Sequence, residues 1–169
     1  MIRFILVLIE LLLCFLLQST VMPAFSLAGT VPDLLLILVV TVAYTRGCIP
    51  GMLTGFAAGL LTDVFFNEVV GVCTFFYLTI GYVAGYTKKL YDERSYGLPV
   101  LFIAAGEFLY SFAYYVAYFL LRSRIQVGYY FVHLILPRVV YTVLAALVIY
   151  PLLHGIHRLL YRLEHKEDF

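Results

Sequence analysis

Six apolar segments, at about 2–22, 31–45, 49–66, 69–87, 98–121 and 132–153, occupy most of this 169-residue chain. Most of them reach the ~20 residues that a helix needs to cross hydrocarbon. The second, near 15 residues, needs local thinning of the bilayer or tilt of its neighbours. Turn chemistry separates the segments. Met22-Pro23 and Val31-Pro32 bracket the first loop, and Arg46-Gly47 and Pro50-Gly51 mark the second. Tyr91 to Gly97 is the one clearly polar loop, and Gln126-Val127-Gly128 interrupts the last pair.

Composition narrows the class further. Only 12% of the residues are charged and 64% are hydrophobic, with a mean hydropathy of +1.01. A soluble domain carries about a quarter charged residues, so there is too little polar surface to cover a water-soluble globule. The net charge of +1 and the lack of a basic stripe outside the loops give no sign of a nucleic-acid partner. Cys14, Cys48 and Cys73 have no metal-ligand spacing and read as small buried hydrophobes. With no Trp, the fifteen Tyr must supply the interfacial belt. The first segment is too long for a signal core and holds Glu10, so it reads as a retained span.

The expected fold is an all-α integral membrane protein, a six-helix transmembrane bundle forming one domain over 1–153, with a short basic tail over 154–169. In that tail His154, Arg158, Arg162 and Lys166 recur every four residues. Ile156, Leu159, Leu160 and Leu163 take another face. This predicts an amphipathic helix for anionic lipid headgroups or for a cytoplasmic protein. With six spans and the N-terminus inside, eight basic residues fall on the cytoplasmic side: Arg3, Arg46, Lys88, Lys89, Arg94, Arg158, Arg162 and Lys166. Only Arg122 and Arg124 fall outside, and Arg138 lies within the last span. Merging segments two and three would move Lys88, Lys89 and Arg94 outside and destroy the bias. Both termini are therefore expected in the cytoplasm.

Gly47, Gly51, Gly55 and Gly59 stand at strict four-residue spacing in one apolar stretch, and Asp63 is the next step of that register. On a helix these positions share one side and leave a groove free of side chains. Such a groove admits close packing, either by the chain's own second or fourth span or by a helix of another protein. Gly81 and Gly85 form a second GxxxG in the fourth segment.

Charges inside hydrocarbon need a partner or a purpose. Glu10, Asp63, Glu107 and Arg138 are the four deep ones. Counting 1.5 Å per residue from the inner edge places Glu10 at about 12 Å, Glu107 at about 14 Å, Asp63 at about 21 Å and Arg138 at about 20 Å. Arg138, the sole cation, is expected to pair with Glu107 or Asp63. The four could hold the bundle together, anchor a partner helix or relay a proton or substrate. The fifth segment is crowded with aromatics, Phe102 to Phe119, read as packing with polar tips at the interface. His154 and His157 have no carboxylate nearby in sequence and read as a membrane-surface pair rather than a metal site. No nucleophile elbow, phosphate loop or HExxH is present, so catalysis, a cofactor and a metal are not expected.

The stretch from Pro32 to Tyr86 resembles the MreD family of bacterial rod-shape-determining membrane proteins. The resemblance rests on Pro32-Asp33-Leu34-Leu35-Leu36, on Arg46-Gly47, and on Gly51-x-x-x-Gly55-Phe56-x-x-Gly59-Leu60-Leu61-x-Asp63. Gly71 and Gly81-Tyr82-x-x-Gly85 follow. It implies a fold like the substrate-binding subunit of energy-coupling-factor vitamin transporters. It also implies a non-catalytic subunit of the cell-elongation machinery in the bacterial inner membrane. The partners it implies are an MreC-like single-span protein, an MreB-like filament, and a RodA-type glycosyltransferase with its class B transpeptidase. Asp33 and Asp63 are the matching positions for contact with the MreC-like partner. The rival reading is a vitamin-type substrate-binding subunit of a transporter. Such subunits use an AxxxA pattern in their first span, and residues 1–23 contain no Ala.

Overall fold

The computed structural model describes residues 2–26, 29–68, 70–88, 97–122 and 127–164, and these form six helices. Helix α1 spans Ile2–Leu16 and runs on through a π turn, Leu17–Val21, and a 3-10 turn, Met22–Phe25. Then come α2 (Leu34–Arg46), α3 (Cys48–Phe66), α4 (Val72–Thr87) and α5 (Gly97–Arg122). The last helix, α6, covers 127–164 without a break. It consists of Val127–Tyr130, a π turn at Phe131–Ile135, and Leu136–Glu164.

Four of these are long and apolar enough to cross a membrane: Phe4–Phe25, Cys48–Phe66, Gly97–Ala117 and Gly128–Leu159. The other two, α2 and α4, are shorter apolar helices. At 1.5 Å per residue α2 is about 20 Å long and α4 about 24 Å, less than the ~30 Å of hydrocarbon.

Helix α2 is the hub. Its sequence, LLLILVVTVAYTR, has no polar face, and a helix apolar all round is stable only when covered all round. Every residue from Leu34 to Tyr44 is buried. Its one interior polar side chain before the last turn, Thr41, bonds back to the Ile37 carbonyl at 2.7 Å. Helices α1, α3, α4, α5 and α6 all touch α2. Around it, α1 meets α3, α3 meets α4, α4 meets α5 and α5 meets α6. Glu10 on α1 and His157 on α6, 3.1 Å apart, close the ring.

A single residue, Gly47, separates α2 from α3. Its φ of +104° is one that side-chain-bearing residues rarely adopt. This corrects the expected register: Gly47 is the hinge of the α2–α3 turn, not the first member of a face on α3. Gly51, Gly55 and Gly59 do form a bare strip, and α4 of the same chain fills it. A Cβ at Gly51 would lie 2.8 Å from the Gly81 carbonyl oxygen, one at Gly55 would lie 2.8 Å from the Tyr77 carbonyl carbon, and one at Gly59 would lie 2.8 Å from the Thr74 nitrogen. Gly81 and Gly85 are the reciprocal half, with Gly85 against the backbone of Gly47 and Cys48. The groove that could have taken a foreign helix is thus occupied from within.

Helix α6 passes through Pro151 unbroken. The boundary expected between bundle and tail at 153–154 falls inside this helix. Its buried stripe is Ile135, Thr142, Ala146, Tyr150, Leu153 and His157. Arg158 is exposed and Arg162 lies in the last turns, while Lys166 is outside the described residues, as are Lys89, Arg94 and Arg124.

Candidate functional site

The start of α2 gathers polar groups from four helices. Asp33 is its N-cap, accepting from the Leu36 amide at 3.1 Å, as an aspartate ahead of an apolar helix is suited to do. Gln18, on the π turn of α1, accepts from the Leu35 amide at 3.1 Å. The Asp33 amide donates to Thr142 Oγ1 of α6 at 3.3 Å, and the Tyr77 hydroxyl of α4 donates to Asp33 Oδ2. The amides that a helix start leaves without partners are thereby served in an apolar interior.

Arg138 of α6 reaches the same point. Its Nε lies 2.5 Å from Glu107 Oε1, and its other arm lies 4.0 Å from Asp33 Oδ2. The guanidinium also sits over the Tyr110 ring, 5.3 Å from the centroid. Asp33 and Glu107 are fully buried and the Arg138 side chain is one-third exposed. One cation thus faces two carboxylates, and the positive end of the α2 dipole offsets the second negative charge. Of the two partners expected for Arg138, the structure selects Glu107. Asp63 is not in this group.

Asp63 has a separate task. Its carboxylate accepts from the amides of Gly71, Cys73 and Thr74 at 2.9, 3.1 and 2.8 Å, and from the Thr74 hydroxyl at 2.7 Å. Asn67 Nδ2 adds a fifth bond at 3.0 Å. Asp63 therefore caps α4 from the end of α3 and shapes the turn between them. Asn67 also meets the Tyr110 hydroxyl at 3.3 Å, which links this cap to the ring over Arg138. Asp33 and Asp63, matched by resemblance to a partner contact, have no exposed surface. Their oxygens are engaged inside the chain.

A second network lies at the opposite end of the bundle. His157 is buried, with Nε2 3.1 Å from Glu10 and Nδ1 3.1 Å from Arg46. Arg46 can only donate, so His157 Nδ1 accepts and Nε2 carries the proton toward Glu10. The ring bridges α1, α2 and α6. Lys88 at the end of α4 donates to the Thr45 carbonyl at the end of α2. His157 is thus no membrane-surface residue. The carboxylate that the sequence did not set beside it arrives from 147 residues away in α1.

These groups are arranged to hold helices, each charge facing its complement. Among the described residues no three His, Cys, Asp or Glu side chains converge to hold a metal ion. The sequence profile described as rod shape-determining protein MreD matches residues 1–160 of the chain. The chain belongs to the MreD family. No curated protein and no solved structure matches it. The MreD phrases from Pro32 to Tyr86 now acquire a structural meaning. Asp33, Gly47, Gly51, Gly55, Gly59, Asp63, Gly81 and Gly85 are the caps, the hinge and the close backbone contacts of α2, α3 and α4.

Tyr77, Thr142, Gln18 and His157 were not picked out as site residues by sequence. Asp33 carried a readable signal, an N-cap residue just before an apolar run. Gln18 and Thr142 are single polar residues in apolar helices, and only the tertiary fold shows that they meet α2.

Proposed function

We propose that this MreD-family membrane protein is a non-catalytic scaffold subunit of the bacterial cell-elongation complex. It would sit in the inner membrane with both termini in the cytoplasm. It would support lateral wall synthesis by binding an MreC-like single-span partner through its outer helix surfaces. The end carrying Arg46, Lys88 and Arg158 would face the MreB-like filament. The RodA-type glycosyltransferase and its class B transpeptidase would be reached through the same assembly. The family match over residues 1–160 carries this reading. The inward-turned charges support it. Glu107, Asp33, Asp63 and Glu10 all face groups of their own chain, which suits a rigid frame whose work is done at its surface. No observation favours a vitamin-type carrier.

Depletion in a rod-shaped host tests the proposal. The expected outcome is rounded cells with wall synthesis no longer confined to the side walls. Rod-shaped cells that instead require a nutrient would replace the scaffold with a carrier.

A further inference from the structure

Past Pro151 the last turns of α6 are weakly held. Proline brings no amide to the ladder of bonds within the helix, and Gly155, one turn on, has open space around its Cα. Beyond Pro151 only Leu153 and His157 are buried among the described residues. His157 is therefore the polar fixing point of this end of α6. It is held from two sides, by Glu10 of α1 at Nε2 and by Arg46 of α2 at Nδ1, each at 3.1 Å. Arg46 is the last residue of α2 and adjoins the Gly47 hinge. The ring thus ties the α2–α3 turn to the end of α6.

The two contacts respond oppositely to a proton. A guanidinium only donates, so the Arg46 contact needs a bare Nδ1. A second proton on the ring goes to Nδ1, where it sets N–H against N–H and one cation against another at 3.1 Å. Turning the ring over gives no escape, because both nitrogens then carry hydrogen. The contact at Nε2 gains instead, since its donor becomes charged and faces a carboxylate. The titratable and charged groups about the ring come from several helices. Helix α1 brings Glu10 and, one turn on, the buried thiol of Cys14. Helix α2 brings Arg46 and buried Tyr44. From α4 comes Lys88, whose ammonium donates to the Thr45 carbonyl beside Arg46. Helix α6 itself brings His154, stacked on Tyr150, and exposed Arg158. Glu10 is the anion of this set, and it is the group that a charged His157 would keep. The Glu10 side chain is 14% exposed against 4% for His157, which gives the proton its way in.

We infer that His157 is a proton-operated latch between the α2–α3 turn and the end of α6. Neutral, it ties α1, α2 and α6 together. Protonated, it stays with Glu10 and gives up Arg46, so that α6 remains on α1 while the turn at Gly47 loses its tie to α6. Histidine is the side chain that changes charge between about pH 5 and 8, so the latch answers to acid in the water at this end of the molecule. The cluster of Asp33, Glu107 and Arg138 and the cap at Asp63 lie at the opposite end and take no part. The latch is a property of the fold and is judged apart from the proposed scaffold role.

Nitrogen NMR on the full chain in lipid nanodiscs tests it. The variant H133N/H154N/H165N leaves His157 as the sole histidine, isotope-labelled in its ring. At about pH 7.5 the ring should show one protonated and one bare nitrogen, and at about pH 5.5 two protonated ones. The Arg46 side-chain resonance, assigned by its loss in R46Q, should move over the same range. A ring doubly protonated at about pH 7.5, or still neutral at about pH 5.5, would overturn the latch. Double-mutant cycles of thermal unfolding in detergent show which contact yields. R46Q and H157L should be non-additive by about 2–4 °C at the higher pH and additive at the lower. E10Q and H157L should couple more strongly at the lower pH. Equal coupling of Arg46 with His157 at both pH values, or loss of the Glu10 coupling instead, would also overturn it. Where H157L does not accumulate, the resonances of the folded chain decide alone. An Arg46 signal that stays still while the ring takes its second proton sinks the proposal.

Discussion

At the scale of single residues, the buried carboxylates differ in what their loss would do. Asp63 serves five donors, and Asn in its place offers one oxygen and turns an NH2 toward donors. Hydrogen bonds to a charged group contribute about 1.5–3 kcal/mol each. D63N should therefore cost at least about 3 kcal/mol, read as a large drop of the thermal midpoint in detergent. Arg138 and Glu107 form a pair, and their substitutions should not add. Removing Arg138 alone leaves Glu107 buried without its cation, at about 3–5 kcal/mol, whereas replacing both with apolar residues can be near neutral. R138L should fail to accumulate in the membrane, and R138L/E107L should recover much of the wild-type level. Equal failure of the double variant would mean that the Arg138–Asp33 contact, at 4.0 Å, dominates.

At the scale of elements, the α3–α4 contact rests on backbone meeting backbone. Added methyl groups there have nowhere to go, because the atoms they would strike belong to the main chain of Tyr77 and Thr74. G55A and G59A should each destabilise by about 1–3 kcal/mol. Gly155 on α6 has open space around its Cα, so G155A should be neutral or stabilise by up to about 1 kcal/mol. Opposite signs at the two kinds of site, measured by thermal unfolding in detergent, separate packing from helix propensity. These elements also show what the sequence made legible. Six apolar segments gave the helices, and the fully apolar second segment is the one that the ring encloses. The strip of Gly51, Gly55 and Gly59 announced a close approach, yet periodicity names a face and not its occupant, so only the fold shows α4 there. Gly47 matched the register numerically, but it lies in the Arg46–Gly47 turn, before the helix that carries that register begins. Arg138 invited pairing by depth along the spans. Depth could not distinguish Glu107 from Asp63 or bring in Asp33, because it ignores which helices are neighbours. His157 met Glu10 for the same reason, across a ring closed by the first and last helices.

For the whole molecule the question is where the bilayer sits on helices of unequal length. Helices α2 and α4, about 20 and 24 Å long, cannot set its thickness, so the long helices and the charges at their ends must. Arg46, Lys88 and Arg158 gather at one end, and a basic end belongs on the cytoplasmic side. On the proposed topology Glu68, at the other end, faces outward. Single cysteines read out this placement in a background where Cys14, Cys48 and Cys73 are serine. A membrane-impermeant maleimide added to intact spheroplasts should label E68C. On the proposed topology it should not label L144C, within the apolar span, or R158C, at the cytoplasmic end. Labelling of R158C from outside would invert the molecule and overturn the proposed cytoplasmic face.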